Sequence, residues 1–168
     1  MAKTVDSYRF LDGIARRAMR NWAGLGSEGP IPWTPLAKPM AECTVALVSS
    51  AAIALKADPP FDPEIERRDP WFSDPSFRVL PRTTKTADIR VCHLHINPAF
   101  AEQDLNAVIP VERLNELEGL GEIGQAAPSH YSYMGYTIRP ERLLRETAPA
   151  IVQRLREERV DGVVLVPV

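Results

Sequence analysis

Cysteine and histidine are scarce in this sequence. Its 168 residues include two cysteines and three histidines. Cys43 and Cys92 lie far apart and form neither a CxxC pair nor a zinc-type spacing, so the sequence predicts no disulfide framework and no zinc finger. Cysteines used in this way are typical of the reducing cytoplasm, where we expect the protein to reside. Cys43 opens an apolar run, which predicts a small buried side chain.

Several other features are absent, and each absence excludes a class of function. The 20 basic and 22 acidic residues nearly balance, so no basic excess favours nucleic acid or an anionic membrane surface. No stretch reaches the ~18 apolar residues of a membrane span. Neither GxGxxG nor GxxxxGK[ST] occurs, and residues 49–52 after the first apolar run contain no glycine. A dinucleotide site and a P-loop are therefore not expected.

Proline, by contrast, is abundant, with 16 residues, about twice the usual share. Residues 8–22 show the spacing of an amphipathic helix, for which Asp6 or Ser7 is the predicted N-cap. The glycines and prolines that follow predict an extended connector. We therefore expect residues 1–40 to form an N-terminal helical arm and residues 41–168 to form one α/β domain.

The remaining pattern alternates between strands and helices. The run from Thr44 to Ser49 is apolar and β-branched, which predicts a strand buried on both faces. Further predicted elements are strands over residues 77–80, 88–93 and 163–168 and helices over 110–118 and 140–159, the last broken near Pro149 and recapped by Thr147. The terminal strand also has the character of a strand buried on both faces. The predicted fold is an open, mostly parallel, Rossmann-like α/β sheet with helices on both faces.

Polar residues that could carry chemistry cluster in three segments. The candidates for a substrate pocket or for proton transfer are His93, His95, Asp104, Asn106, His130, Tyr131 and Ser132. An imidazole can bind a carboxylate, move a proton near neutral pH or ligate a metal, and Asp104 or Asn106 could orient it. Three readings stay open: buried hydrogen bonds alone, a metal site built from the three histidines, and a Cys92–His nucleophile pair.

The order of the motifs resembles the family of the glycine/sarcosine/betaine reductase component B and D-proline reductase selenoprotein subunits. The similar stretches are WTPLAKPM from Trp33, VALV from Val45, DPPFD from Asp58, DPSFRVLP from Asp74, DLNAVIP from Asp104, HYSYMG from His130, ETAP from Glu146 and VDGVVLVPV from Val160. They cover residues 30–168. The six candidates other than Ser132 match family motif positions, so the resemblance implies pocket or structural roles for them.

The resemblance implies a dithiol-dependent reductase that cleaves a carbon–nitrogen bond in an amino-acid-type substrate. In such proteins a selenocysteine of a UxxC motif follows the strand that here ends at Val168, and a pyruvoyl group on a partner subunit activates the substrate. A thiol or thioredoxin-type reductant is the implied electron donor. This sequence departs from the pattern because it has no selenocysteine and no CxxC. It also has Cys92 where the family more often has serine.

We expect, from this departure, that the chain stops short of the redox motif, and that it is inactive alone and homo-oligomeric. The alternative hypothesis is a small-molecule or metal-binding module that uses His93, His95 and His130 without turnover. A third is an assembly subunit that pairs its terminal strand or its N-terminal helix with a partner.

Overall fold

The computed structural model of the chain describes residues 12–23, 34–62, 64, 68, 74–93, 96–137 and 140–168. The chain divides into two compact units, Met1–Pro35 and Leu36–Val168. The helices are α1 (Gly13–Ala23), α2 (Pro98–Gln103), α3 (Val111–Gly119) and α4 (Ala148–Glu157), and the strands are β1 (Thr44–Ser49), β2 (Ile53–Leu55), β3 (Phe77–Pro81), β4 (Ile89–Val91), β5 (Gln125–Ala126), β6 (Ser129–Tyr133) and β7 (Gly162–Val166).

The first unit contains α1. Asp12 caps this helix, because its carboxylate Oδ1 accepts the N–H groups of Ile14 and Ala15 at 2.9 and 2.8 Å. These are two of the N–H groups that a helix start leaves without partners. The predicted caps, Asp6 and Ser7, lie outside the described residues.

The second unit is organised around β1, which is paired on both of its edges. One edge runs parallel to β7 over the whole strand. The other edge runs parallel to β5 at its start and to β6 at its end, so β5 and β6 are two pieces of one strand position interrupted at residues 127–128. Beyond β6 lies β3, which is antiparallel. The sheet is therefore mostly parallel, with β7 at one edge and β3 at the other.

Alternation along β1 sends its side chains into two separate cores. Cys43, Val45 and Leu47 pack on the face that carries α3 and the segment before it, with the cluster completed by Leu80, Leu105, Ile109, Val111, Leu114 and Ala126. Ala46 and Val48 pack on the opposite face against Ile151 and Leu155 of α4. The prediction of a mostly parallel α/β sheet with helices on both faces is confirmed.

Two strand predictions need correction. The segment from Asp88 to His93 forms a strand only at β4, which pairs antiparallel with β2 in a separate two-stranded sheet. The terminal strand β7 is not buried on both faces, because among the described residues it pairs only with β1, and its side chains from Val163 to Leu165 are exposed. Alternating or continuous apolar residues predict that a segment is a β-strand, but they do not predict which strand it pairs with.

The helix predicted over residues 140–159 is not broken at Pro149. A π-helical turn from Leu143 to Thr147 leads directly into α4, and Pro149 occupies the first turn. Thr147 is helical rather than a cap, and its hydroxyl donates to the Pro75 carbonyl. The π turn is wider than an α-helical turn, and it lets the helix continue without a break up to Pro149, which has no N–H to donate. None of the described helices combines the length and the apolarity that crossing a membrane requires.

The burial of β1 predicts a large cost for shortening its central side chain. We expect Leu47→Ala to lower the free energy of unfolding by about 2–5 kcal/mol, because it removes buried methyl groups and leaves a cavity. Leu120→Ala is the matched control, since Leu120 is 74% exposed, and should cost less than about 0.5 kcal/mol. Urea denaturation of both variants measures the difference, and equal losses would contradict the central position of Leu47.

Candidate functional site

The carboxyl ends of β1, β6 and β7 meet at Ser50. The Val168 N–H donates to Ser50 Oγ at 2.8 Å, and the same hydroxyl lies 3.4 Å from the Val168 carbonyl oxygen. The Ser50 N–H donates to the Val166 carbonyl, and the Ser50 carbonyl accepts the Gly135 N–H at 2.9 Å. In open α/β sheets the ligand site lies beyond the carboxyl ends of the strands, so this edge is the candidate site.

Gly135 reaches this position because it has no side chain. A Cβ atom on Gly135 would lie 2.7 Å from both Cβ and the carbonyl oxygen of Ser50. The close approach lets the segment after β6 contact the end of β1 directly. Neither Ser50 nor Gly135 was singled out from the sequence as a site residue, although a Ser-Ser pair after a buried strand was a usable signal.

A turn after β1 brings the Cys92–His93 segment to the same edge. Ala52 has a positive φ of 50°, its N–H donates to the Tyr133 carbonyl, and its carbonyl accepts the Cys92 N–H at 3.0 Å. His93 follows Cys92 and is buried. His95 lies outside the described residues, so the predicted pairing of the two histidines on one strand face is not described.

The polar side chains of β1 and β6 are buried and bind backbone groups. Ser49 Oγ donates to the Val108 carbonyl at 2.7 Å and accepts the Ala51 N–H. Ser132 Oγ accepts the Ile53 N–H at 2.8 Å and so ties β2 to the main sheet. These hydroxyls satisfy backbone groups that the sheet itself does not pair.

His130 is fully buried on β6. Its Nδ1 accepts the Leu47 N–H at 3.2 Å, so the ring proton lies on Nε2, which has no hydrogen-bond partner among the described residues. Burial, together with the positive charge of Arg82, lowers the pKa of His130 from 6.5 to about 4. The imidazole is neutral at pH 7 and offers one N–H donor.

Tyr131 lies on the opposite face of β6 from His130 and Ser132, because side chains alternate along a strand. Its ring packs edge-on against Phe77, and its hydroxyl makes a long hydrogen bond of 3.5 Å to Glu158. Burial and the neighbouring carboxylate raise the pKa of Tyr131 to about 12. The three predicted residues of this strand therefore do not share one face.

Among the residues that the structure describes, Asp104 and Asn106 bind each other and the start of α3. Asp104 Oδ1 accepts the backbone and side-chain N–H groups of Asn106 at 2.9 and 2.8 Å. Asn106 Oδ1 accepts the Glu112 N–H at 3.0 Å. These hydrogen bonds lower the pKa of Asp104. The structure assigns the pair a capping role before α3.

Two other segments that carry the resemblance are joined by Arg78. Its guanidinium donates to the carbonyls of Pro59 and Pro60, both at 2.9 Å, and lies over the ring of buried Phe61. Asp74 completes the link by accepting the Asp62 N–H at 3.0 Å. The DPPFD and DPSFRVLP stretches thus form one loop cluster with a structural role.

The described residues do not favour a metal site or a thiolate. They contain no group of three or more His, Cys, Asp or Glu side chains that could hold a metal ion. Cys43 is buried, and its thiol contacts the Pro39 carbonyl at 3.3 Å. Burial raises the pKa of the Cys92 thiol, which disfavours the nucleophilic thiolate.

Comparison with known proteins establishes the family. The family model described as glycine/sarcosine/betaine reductase selenoprotein B matches residues 25–168. The chain belongs to this family. No solved structure matches it, so the Rossmann-like description of its sheet stays a prediction.

Three relatives illustrate the range of the family. The chain is 33% identical to D-proline reductase subunit gamma of Acetoanaerobium sticklandii over 148 residues, which are 84% of this chain and 58% of that protein. It is 27% identical to glycine reductase complex component B subunit gamma of Carboxydothermus hydrogenoformans, covering 80% and 30%. It is 33% identical to betaine reductase complex component B subunit beta of Peptoclostridium acidaminophilum, covering 45% and 17%. The chain spans little more than half of the first relative, and less of the others.

The buried His130 predicts a loss of stability in mild acid. Between pH 6.5 and about 4 the unfolded imidazole binds a proton that the folded one does not, so stability falls as the pH drops through this window. The pKa difference corresponds to on the order of 3 kcal/mol. His130→Asn keeps an acceptor for the Leu47 N–H but does not titrate. Urea unfolding from pH 4 to 7.5 should show a steeper loss for the native chain, and parallel curves would refute the assignment.

The contact between Gly135 and Ser50 predicts intolerance of a methyl group. Gly135→Ala should destabilise the protein by about 1–3 kcal/mol, because the new Cβ meets the carbonyl oxygen and the Cβ of Ser50, which cannot swing away as the far end of a flexible side chain can. Gly119→Ala is the control, since a Cβ there meets nothing within 4 Å and the site is helical. It should be neutral or slightly stabilising. Thermal unfolding compares the two, and a tolerated Gly135→Ala would show that the segment is not held against Ser50.

Proposed function

We propose that this chain provides the substrate-facing sheet edge of a reductase that cleaves a carbon–nitrogen bond in an amino-acid-type substrate. The observation that carries the proposal is the family match over residues 25–168. The names of the relatives support it, because D-proline, glycine and betaine each have a carbon–nitrogen bond next to a carboxylate. The meeting of three strand ends at Ser50 supports the location.

The net reaction fixes what else must take part. One carbon–nitrogen bond breaks, the nitrogen becomes an amine that is released or, in a ring substrate, stays in the product, and the carbon gains hydrogen, so two electrons and two protons enter. Oxidation of a dithiol to a disulfide supplies both, which makes a thiol or thioredoxin-type reductant the required donor. The reducing cytoplasm provides such donors.

The two cysteines of the chain do not fit the role of nucleophile. Cys43 is buried, and burial keeps the Cys92 thiol protonated. Our proposal assigns the nucleophile to a selenocysteine or cysteine directly after Val168 in a longer family chain. A selenolate would supply an ionised nucleophile at neutral pH. A pyruvoyl group on a partner subunit is the proposed means of substrate activation.

The residues of this chain would position and protonate rather than attack. Ser50 would hold the backbone at Val168, and Gly135 would allow the β6 segment to close on it. Because His130 is neutral and uses Nδ1 for the Leu47 N–H, we assign it hydrogen-bond donation. Proton transfer then falls to His93 or His95. Tyr131, Ser132, Asp104 and Asn106 would support the surrounding backbone.

A chimera tests the proposal. In D-proline reductase subunit gamma of Acetoanaerobium sticklandii, the matched portion is replaced by this chain, and the product is assembled with the other subunits of that complex. With dithiothreitol, D-proline should yield 5-aminopentanoate, the product of ring C–N cleavage, and Ser50→Ala should lower kcat about tenfold through misplacement. The chain alone should form no product.

Two further measurements make the test decisive. Glycine, sarcosine and betaine are assayed beside D-proline, because the substrate is not fixed by the geometry. Exchange of the selenocysteine for serine in the chimera should abolish turnover. A chimera that folds, binds its partner subunits and forms no product of carbon–nitrogen cleavage from any of the four substrates would disprove the reductase assignment.

A further inference from the structure

Arg78 lies at the same end of the sheet as the candidate site, although its strand runs in the opposite direction. β3 is antiparallel to β6, and the register places Phe77 opposite Tyr133 and Arg78 opposite Ser132. Because Tyr133 is the last residue of β6, the start of β3 lies beside the carboxyl end of β6. Side chains alternate along a strand, so Arg78 shares a face with Leu80, which packs in the core on the α3 side.

The guanidinium of Arg78 binds two loop segments at once. Its Nε and Nη2 atoms donate to the carbonyls of Pro59 and Pro60, both at 2.9 Å. Its Nη1 donates to Ser76 Oγ at 2.8 Å and to the Phe77 carbonyl at 3.0 Å. These acceptors are uncharged oxygens, so the shape of the guanidinium matters here more than its charge. A planar fork of N–H groups can serve acceptors in several directions, which the compact ammonium of a lysine cannot.

The same guanidinium lies over a buried ring. Its Cζ atom is 4.3 Å from the centroid of the Phe61 ring, and Phe61 is fully buried. Since Pro60 directly precedes Phe61, Arg78 fixes both the backbone and the ring of this segment. Phe61 belongs to an apolar cluster, the Phe61 cluster, whose other members are Ala52, Ala54 and Met134, with Cys92 packed against it.

The Phe61 cluster borders the candidate site through two chain neighbours. Cys92 directly precedes His93, and Met134 directly precedes Gly135. Protein interiors are close-packed and transmit strain. A displacement of Phe61 is therefore passed to both of these segments.

We propose that Arg78 is a positioning residue of the reductase. By holding Phe61 it sets the places of His93 and Gly135 at the sheet edge. This role rests on the proposed function, in which His93 is a candidate for proton transfer and Gly135 closes on Ser50. Misplacement of a reacting group by about 1 Å can lower a rate about a hundredfold. In this role Arg78 acts through Phe61 rather than on the substrate.

Arg82 offers a matched control, because it lies just beyond the other end of β3. Its Nη1 donates to the Ala126 carbonyl at 3.2 Å, and its Nη2 donates to Asn115 Oδ1 at 3.2 Å and to Glu118 Oε2 at 2.6 Å. These partners belong to α3 and β5 rather than to the Phe61 cluster. Replacement of either arginine by lysine keeps the charge and removes the planar fork, so the two variants test location.

Amide hydrogen exchange of the full chain is the first test. The Cys92 and Gly135 amides are hydrogen-bonded at the sheet edge, and the Leu47 amide in the core reports global opening. Arg78→Lys should speed exchange of the two edge amides about tenfold relative to the Leu47 amide. Arg82→Lys should leave this ratio within about twofold of the native value.

Phe61→Leu tests the same link from its other side. It leaves Arg78 in place but removes the ring beneath the guanidinium, so it should give the exchange pattern of Arg78→Lys. This variant decides the question if Arg78→Lys does not fold, which circular dichroism would show. Native exchange ratios in the folded variants would overturn the proposal.

The kinetic test uses the chimera with its partner subunits and the four substrates. Arg78→Lys should lower kcat about tenfold and leave KM within about twofold, because the groups at the edge are misplaced while the substrate still binds. Arg82→Lys should keep near-native kinetics. A raised KM with an unchanged kcat would mean that Arg78 binds the substrate, and unchanged kinetics would mean that it only holds the loops. Either result would overturn the proposal.

Failure of the proposed function has a different signature. A chimera that is inactive with Arg78 in place would refute the reductase assignment and with it any role of Arg78 in the reaction. The exchange ratios do not depend on turnover, so they would still decide whether Arg78 positions the Cys92–His93 and Met134–Gly135 segments.

Discussion

The complete enclosure of β1 is the constraint on which the rest of the second unit depends. Its side chains alternate into two cores, and both of its edges carry parallel partners. A strand in this position cannot move without breaking hydrogen bonds on both sides and opening cavities on both faces. The last residue of the strand, Ser49, and the residue that follows it, Ser50, therefore have fixed positions. Ser50 places the segments after β6 and β7 relative to one another.

Buried hydroxyl groups also fix the positions of the segments that flank the central strands. Ser49 fixes the segment before α3, Ser132 fixes β2, and the β2 region in turn carries Cys92 and His93 to the sheet edge through Ala52. Each hydroxyl binds a backbone group that would otherwise be buried without a partner, which is costly. The same requirement explains why several motif residues of the family, such as Arg78 and Asp104, have structural partners rather than an open pocket around them.

The sequence alone predicts those elements in which the apolar side chains form one regular pattern, either a continuous buried run or one face of a helix. β1 is apolar from Val45 to Val48, and α3 follows a proline with regular apolar spacing, so the sequence predicts both close to their observed bounds. β6 was not predicted, because Ser-His-Tyr-Ser-Tyr has no apolar alternation and its polar side chains are satisfied only by distant partners such as Leu47 and Ile53. At the candidate site, His93 was predicted, whereas Ser50 and Gly135 depend on contacts more than 80 residues apart.

The contrast between the sequence of β7 and its position connects the fold to the proposed function. Its composition is that of an interior strand, yet its side chains lie exposed at the sheet edge, so water-exposed apolar area there favours a covering partner. Covering this edge does not compete with chemistry at the carboxyl end. The lateral hydrogen-bonding groups belong to Val163 and Leu165, whereas Ser50 holds Val168 beyond the end of the strand. Because the two surfaces of β7 are separate, a neighbour along this strand would leave the carboxyl-end edge of the sheet open.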